Sequence, residues 1–221
     1  MPSNKKHILF ALIMTFPFFP SVFYLALAVV GTSIIDFDHE LKINNLFIMT
    51  LLGILLTLLL YILNLPIIWG LLILFLAVLF FICKDRGFMH SIFGIILTVL
   101  ILTALIVGLY FLILDFTANK MVIMVIILAF LGFLSLNLKL IAPYIVLVVI
   151  GLILLPGLSF NIYSIFGALF IGFFSHVILD MFTPNGVGLF SPLYKKKFRK
   201  TMGMIFLVLW GVAAVFYLIF Q

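Results

Sequence analysis

The sequence predicts an all-α, polytopic transmembrane bundle, and three observations carry that expectation. The chain has 221 residues, of which 67% are hydrophobic and 8% charged, whereas a soluble domain carries about 25% charged residues. Apolar runs recur along it at close to the roughly 20 residues that cross a bilayer. These runs are rich in Leu and Ile and lack the period-2 alternation of a membrane barrel, and a helix satisfies its own backbone polar groups in lipid. No polar stretch is long enough to build a soluble domain, so residues 1–221 read as a single integral membrane domain. The net charge of +6 then reads as membrane loop charge, with no nucleic-acid partner expected. The one cysteine, Cys83, excludes an internal disulfide and reads as a small buried apolar residue.

The apolar segments fall near 8–35, 44–63, 66–83, 91–114, 121–136, 140–156, 162–183 and 202–220. The opening "MPSNKKHILFALIM" has the basic-then-apolar look of a signal peptide, but its apolar run is long and interrupted by proline, which predicts that it is retained. In that first segment "TFPFFPS" places Pro17 and Pro20 mid-run. Proline removes a helix hydrogen bond and clashes with the preceding turn, so the segment is either one kinked span or a re-entrant hairpin of two short helices. The hairpin is preferred, giving about seven spanning helices after it; the kinked span would give eight. The breaks between later segments, "DFDHELKINN", "NLP", "KDRGFMH", "DFTANK", "LNLK", "GLSFN" and "TPNGVGLFSPLYKKKFRKT", each combine turn formers with polar or charged residues.

Alternation across the membrane puts the breaks at 36–43, 84–90 and 184–201 on one side, together with 137–139. That side holds Lys42, Lys84, Arg86, Lys139, Lys195, Lys196, Lys197, Arg199 and Lys200, nine of the twelve basic residues. The positive-inside rule makes it cytoplasmic, in the inner cell membrane. The hairpin would add Lys5 and Lys6 and leave Lys120 alone on the other side.

The polar residues gather on the same side. Of six acids and four histidines, Asp36, Asp38, Glu40, Asp85, Asp180, His39, His90 and His176 lie in or beside those three breaks. The hairpin would bring His7 to join them. In "IDFDHE", a helical end sets Asp36 against His39 and Glu40 at i+3 and i+4, a donor set suited to a divalent cation such as Mg, Mn, Fe or Zn. A solvated helix end beside Lys42 is the plainer reading. In "KDRGFMHS", His90 and Ser91 open an apolar helix, and Ser91 is either a cap or a group that orients a ligand. Asp85 is either a ligand or an ion-pair partner of Lys84 or Arg86. In "GFFSHVILDMFTPNG", His176 and Asp180 lie about 40° apart on one helix face, and Thr183 shares the stripe. Gly172 leaves room there for a neighbouring helix or ligand. Ionisable groups in a membrane helix are costly unless paired, so function or a partner is the default expectation. The plainer alternative is a structural His–Asp hydrogen bond. Helix rise places His176 about 10 Å from Thr183, at head-group depth. The run "LYKKKFRK" reads first as a positive-inside anchor. A sharper reading makes Arg86, Lys195, Lys196, Lys197 and Arg199 a basic rim for an anionic lipid or a phosphate-bearing substrate. Trp69 and Trp210 read as interface anchors or packing.

The ordered set "IDFDH", "DRGFMHS" and "SHVILDMFTPNGVGLFSPL" resembles the YdjM-like family of bacterial and archaeal inner-membrane proteins, regarded as metal-dependent hydrolases. "KKHILFALI" looks like that family's early histidine opening a short helix. The last motif is the most specific, matching at Ser175, His176, Asp180, Thr183, Pro184, Gly186 and Pro192. Ile35 stands where the family usually has proline, Asp85 where it has histidine, and Met89 where it has threonine. The resemblance implies a multi-helix membrane protein with a divalent metal site drawn from His7, Asp36, Asp38, His39, His90, His176 and Asp180.

Together these readings predict a hydrolase at the cytoplasmic interface of the lipid bilayer. One or two divalent ions would acidify a water, Asp36 or Asp38 would act as general base, and Ser91, Ser175 and Thr183 would orient the ligands. Shallow depth and the basic rim suggest a phosphate-containing amphiphile as substrate. Two other readings use the same residues: a proton or metal-ion pathway, and a non-catalytic scaffold with a structural metal. Crowding of the acids on one face argues against transport.

Overall fold

The computed structural model describes residues 4–35, 42–83, 87–155, 159–194 and 196–220. Among these, regular structure is helical apart from one isolated antiparallel bridge between Val187 and Phe198. The helices are α1 (Asn4–Thr15), α2 (Val22–Ile34), α3 (Lys42–Ile62), α4 (Ile68–Ile82), α5 (Ile92–Leu114), α6 (Lys120–Ser135), α7 (Leu138–Leu154), α8 (Ile162–Met181) and α9 (Lys200–Phe220). Polar residues in the sequence breaks start several of them. Asn119, Asn137 and Asn161 accept from backbone N–H groups in the first turns of α6, α7 and α8, as N-cap side chains do.

Three helices, Ile92–Leu114, Ile162–Met181 and Lys200–Phe220, are long and apolar enough to cross a membrane. The described apolar parts of α2, α3, α4, α6 and α7 are shorter. The helical membrane character therefore stands, and among the described residues three helices meet the length and composition of a membrane span.

The first apolar segment divides into two helices. α1 and α2 are 12 and 13 residues long, about 18 and 20 Å, and the chain turns between them where Pro17 and Pro20 interrupt the helix. His7, near the start of α1, and Thr32, near the end of α2, both meet His176 of α8. The two short helices thus run in opposite directions as a hairpin, in place of one kinked rod.

α2 runs parallel to α8 at very close range. Tyr24 at its start donates to the carbonyl of Ser159 at 2.7 Å, just ahead of α8, and Thr32 near its end meets His176. Two glycines permit this approach. A Cβ on Gly31 would lie 2.8 Å from the carbonyl oxygen of Leu169, and one on Gly172 would run into the carbonyl of Ala28. Backbone-to-backbone contact of this kind is how small residues serve helix pairs in membranes. The space at Gly172 is therefore taken by a helix, not a ligand.

α5 and α6 complete the interior, with Ile95, Val99, Leu102, Ile123 and Ile127 fully buried. α9 lies outside, on α8 and α1. Trp210 Nε1 donates to the carbonyl of Met14 at 3.0 Å, and Phe206 meets Phe174 edge-on. Trp69 packs its ring against Gly108. Both tryptophans therefore pack against neighbouring helices.

Candidate metal centre

Among the described residues, four ionisable side chains converge where α1 begins and α8 ends. His7, His90, His176 and Asp180 are 3%, 2%, 1% and 1% exposed, an unusual degree of burial for such groups. His176 and Asp180 come from one face of α8. His7 comes from the first turns of α1, and His90 closes a 3-10 turn, Phe88–His90, ahead of α5. Three imidazoles thus surround one carboxylate. His90 Nε2 lies 3.5 Å and His176 Nε2 3.8 Å from Asp180 Oδ2, and His7 Nε2 lies 3.9 Å from Oδ1. The rings of His7 and His176 stack at 3.9 Å with 16° between planes, and His90 meets His176 edge-on at 5.7 Å.

These separations discriminate between roles. A nitrogen–oxygen hydrogen bond spans about 2.7–3.2 Å, and all three contacts are longer. Two ligands held about 2.0–2.1 Å from one tetrahedral ion are roughly 3.4 Å apart, close to the values found. His7, His176 and Asp180 can each offer one ligand atom, all within 4.8 Å of one another. Imidazole and carboxylate donors suit Zn, Mn or Fe, and such a cation would offset the cost of burying the carboxylate. The residues present therefore fit a divalent ion.

The tautomer of His176 follows from its partner. Its Nδ1 lies 2.8 Å from the carbonyl oxygen of Thr32. A carbonyl only accepts, so Nδ1 carries the proton. In the neutral ring Nε2 then keeps its lone pair, on the side facing Asp180. Metal-ligating histidines are commonly held in this way by a backbone carbonyl. Thr32 was not among the sequence-derived candidates, because any residue type supplies a carbonyl. Its own hydroxyl is buried and lacks a hydrogen-bond partner among the described residues.

His90 is positioned by its neighbour. Ser91 Oγ accepts from Gly94 N at 3.1 Å and donates to the Phe88 carbonyl at 2.6 Å, so Ser91 is the N-cap of α5. The loop after α8 reaches the same place, where Ile92 N donates to the Leu189 carbonyl at 2.9 Å. Ser175 is buried and donates to the Gly172 carbonyl at 2.7 Å, and Thr183 donates to the Asp180 carbonyl at 2.7 Å. These three hydroxyls tie the backbone segments that carry His90, His176 and Asp180.

Beyond Thr183 the chain turns through Gly186, whose φ of +62° lies in the left-handed region that glycine tolerates. Val187 and Phe198 then pair through two backbone hydrogen bonds of 2.9 and 2.8 Å. Lys196, Lys197 and Arg199 beside this pair are exposed. Asp36, Asp38, His39, Asp85, Arg86 and Lys195 lie outside the described residues.

Comparison with curated proteins and with solved structures gives no match. The model of one family, described as YdjM inner membrane protein, matches residues 3–220, nearly the full length over which the helices and the buried cluster have been traced. The chain belongs to the YdjM family of inner membrane proteins.

Proposed function

We propose that this protein is a membrane-embedded, metal-dependent hydrolase whose substrate is a phosphate-bearing amphiphile. The observation that carries the reading is the buried grouping of three imidazoles around Asp180 at 3.5–3.9 Å. That spacing suits ligands of a common ion better than a hydrogen-bonded pair. His7, His90, His176 and Asp180 would hold the ion, joined by Asp36, Asp38 and His39 from the segment that follows α2. A divalent ion at such a site supplies an acidified water at neutral pH and polarises a phosphoryl oxygen.

The chain's own groups would do the remaining work. The Thr32 carbonyl fixes His176 with Nε2 turned to the ligand position. Asp36 or Asp38 would take the proton released when water attacks. Lys196, Lys197 and Arg199, with Arg86 and Lys195, would draw an anionic head group to the face that carries the cluster. In the full topology, the α1–α2 hairpin re-enters from the cytoplasmic side, seven helices span, and the site sits at the cytoplasmic interface.

The test is metal analysis of protein purified without chelators, followed by phosphate-release assays on lipid phosphates. Bound metal with phosphate release that is lost in His176→Ala supports the reading. Stoichiometric metal with no release from any phosphoester would instead mark a structural metal in a scaffold.

A further inference from the structure

An apolar groove of about 290 Å³ lies between the α1–α2 hairpin and the α6–α7 pair. Ile8 and Leu12 of α1, Leu25 and Val29 of α2, and Leu140 and Tyr144 of α7 line it. Its place relative to the His/Asp cluster is set by the chain. Ile8 follows His7 directly, and Val29 stands three residues before Thr32. α7 runs down the groove away from that end. The Tyr144 hydroxyl reaches the carbonyl of Ala26 at 3.4 Å, and Gly151 lies against Val22 further on. From Val29 to Val22 the wall extends about 10 Å at 1.5 Å per residue.

From this placement we propose that the groove is a binding site for a hydrocarbon chain of the lipid whose phosphate head lies at the His/Asp cluster. This rests on the reading of that cluster as a hydrolytic site and names the part of the substrate that the cluster itself does not hold. Three features commit the groove to this occupant. Its lining is apolar in a membrane protein, so a lipid chain is the ligand at hand. One end is lined by Ile8, the residue after His7, so that end of the groove lies level with the cluster along α1. Lys5 and Lys6, exposed in the same first turn of α1, complement an anionic head at that end. At roughly 30 Å³ per water-sized group, the groove holds about ten methylenes, the near half of an ordinary acyl chain.

The experiment uses the full-length protein in detergent with phosphatidic acid carrying a diazirine midway along one acyl chain, followed by photolysis and peptide mapping. Labelling should concentrate on peptides of α1, α2 and α7. Leu25→Trp and Leu140→Trp, which fill the groove from two different helices, should each cut that labelling by loss of the space a chain occupies. Val212→Trp, on the lipid-facing side of α9, should leave it unchanged. Labelling spread equally over α9 and the groove helices, or undiminished in both filled variants, would overturn the proposal. Metal content and phosphate release, measured on the same preparations, report separately on the hydrolytic reading. Protein that lacks both and still labels in the groove would refute the hydrolase while leaving the chain site standing.

Discussion

His176 donates from Nδ1 to the main-chain carbonyl of Thr32, 144 residues earlier in the chain, at 2.8 Å. That single bond joins two closely packed helices, α2 and α8, and sets which nitrogen of the imidazole faces Asp180. Fold and chemistry meet in it: the helix approach that two glycines allow also puts a carbonyl where the ring needs an acceptor.

The first prediction concerns that approach. A Cβ at Gly172 would collide with the backbone of Ala28, which cannot swing aside as a flexible side chain can. Gly172→Ala should cost about 1–3 kcal/mol, the usual range for overpacking, or a melting-temperature drop of roughly 2–4 °C per kcal/mol. Thermal unfolding in detergent measures it. An unchanged melting temperature would show that α2 and α8 are less tightly apposed.

Thr32 gives a prediction of opposite sign. Its hydroxyl is fully buried and has no hydrogen-bond partner among the described residues, and a buried hydroxyl without a partner costs about 1–3 kcal/mol. Thr32→Val keeps the shape and removes the hydroxyl, while the carbonyl that holds His176 stays. The variant should melt at the same or a higher temperature and keep its metal content. A lower melting temperature together with lost metal would show that the hydroxyl itself serves the site.

His90 approaches Asp180 more closely than the other two imidazoles, at 3.5 Å. Loss of a supporting group around a metal costs about 10–100-fold in affinity, so under the proposed reading, in which His90 is a ligand, His90→Ala should cost at least that much. Competition with a chelator of known affinity reads it. Wild-type affinity in a folded His90→Ala protein would remove His90 from the ligand set.

Topology can be read from the chain ends. α1 starts at the cluster, while α9 leads away from that end, its Trp210 bonded to Met14 at the far end of α1 and its Tyr217 ring near Phe18 beyond it. Reporter fusions should place the amino terminus in the cytoplasm and the carboxyl terminus on the other side. Both termini on one side would contradict the arrangement.

Much of this was legible in the sequence because a bilayer makes length and polarity informative. Seven of the eight apolar runs became single helices close to their expected bounds. Pro17 and Pro20 marked where the first helix is interrupted, since neither can donate within a helix, and left a hairpin or a kinked span open. The spacing of His176 and Asp180 put both on one face before any neighbour was known. The rest depended on neighbours. Nothing in a single sequence says that Gly31 and Gly172 face each other's helices, so the parallel α2–α8 pair and the part played by Thr32 stayed hidden. A main-chain carbonyl leaves no residue-type signature. The apolar groove draws its walls from α1, α2, α7 and Leu136 just after α6, and most of its lining residues look like any other membrane leucine, isoleucine or valine. Ser91 was ambiguous between cap and ligand support until its bonds to Gly94 and Phe88 placed it at the helix start.

The central claim is that Asp180 and the imidazoles around it hold a divalent ion. Elemental analysis of protein purified without chelators, alongside membrane-inserted His176→Ala and Asp180→Asn variants, tests it most directly. The account predicts stoichiometric Zn, Mn, Fe or Mg in the native chain and little or none in either variant. A native protein that carries no metal, and takes up none when each of these ions is supplied, would contradict it.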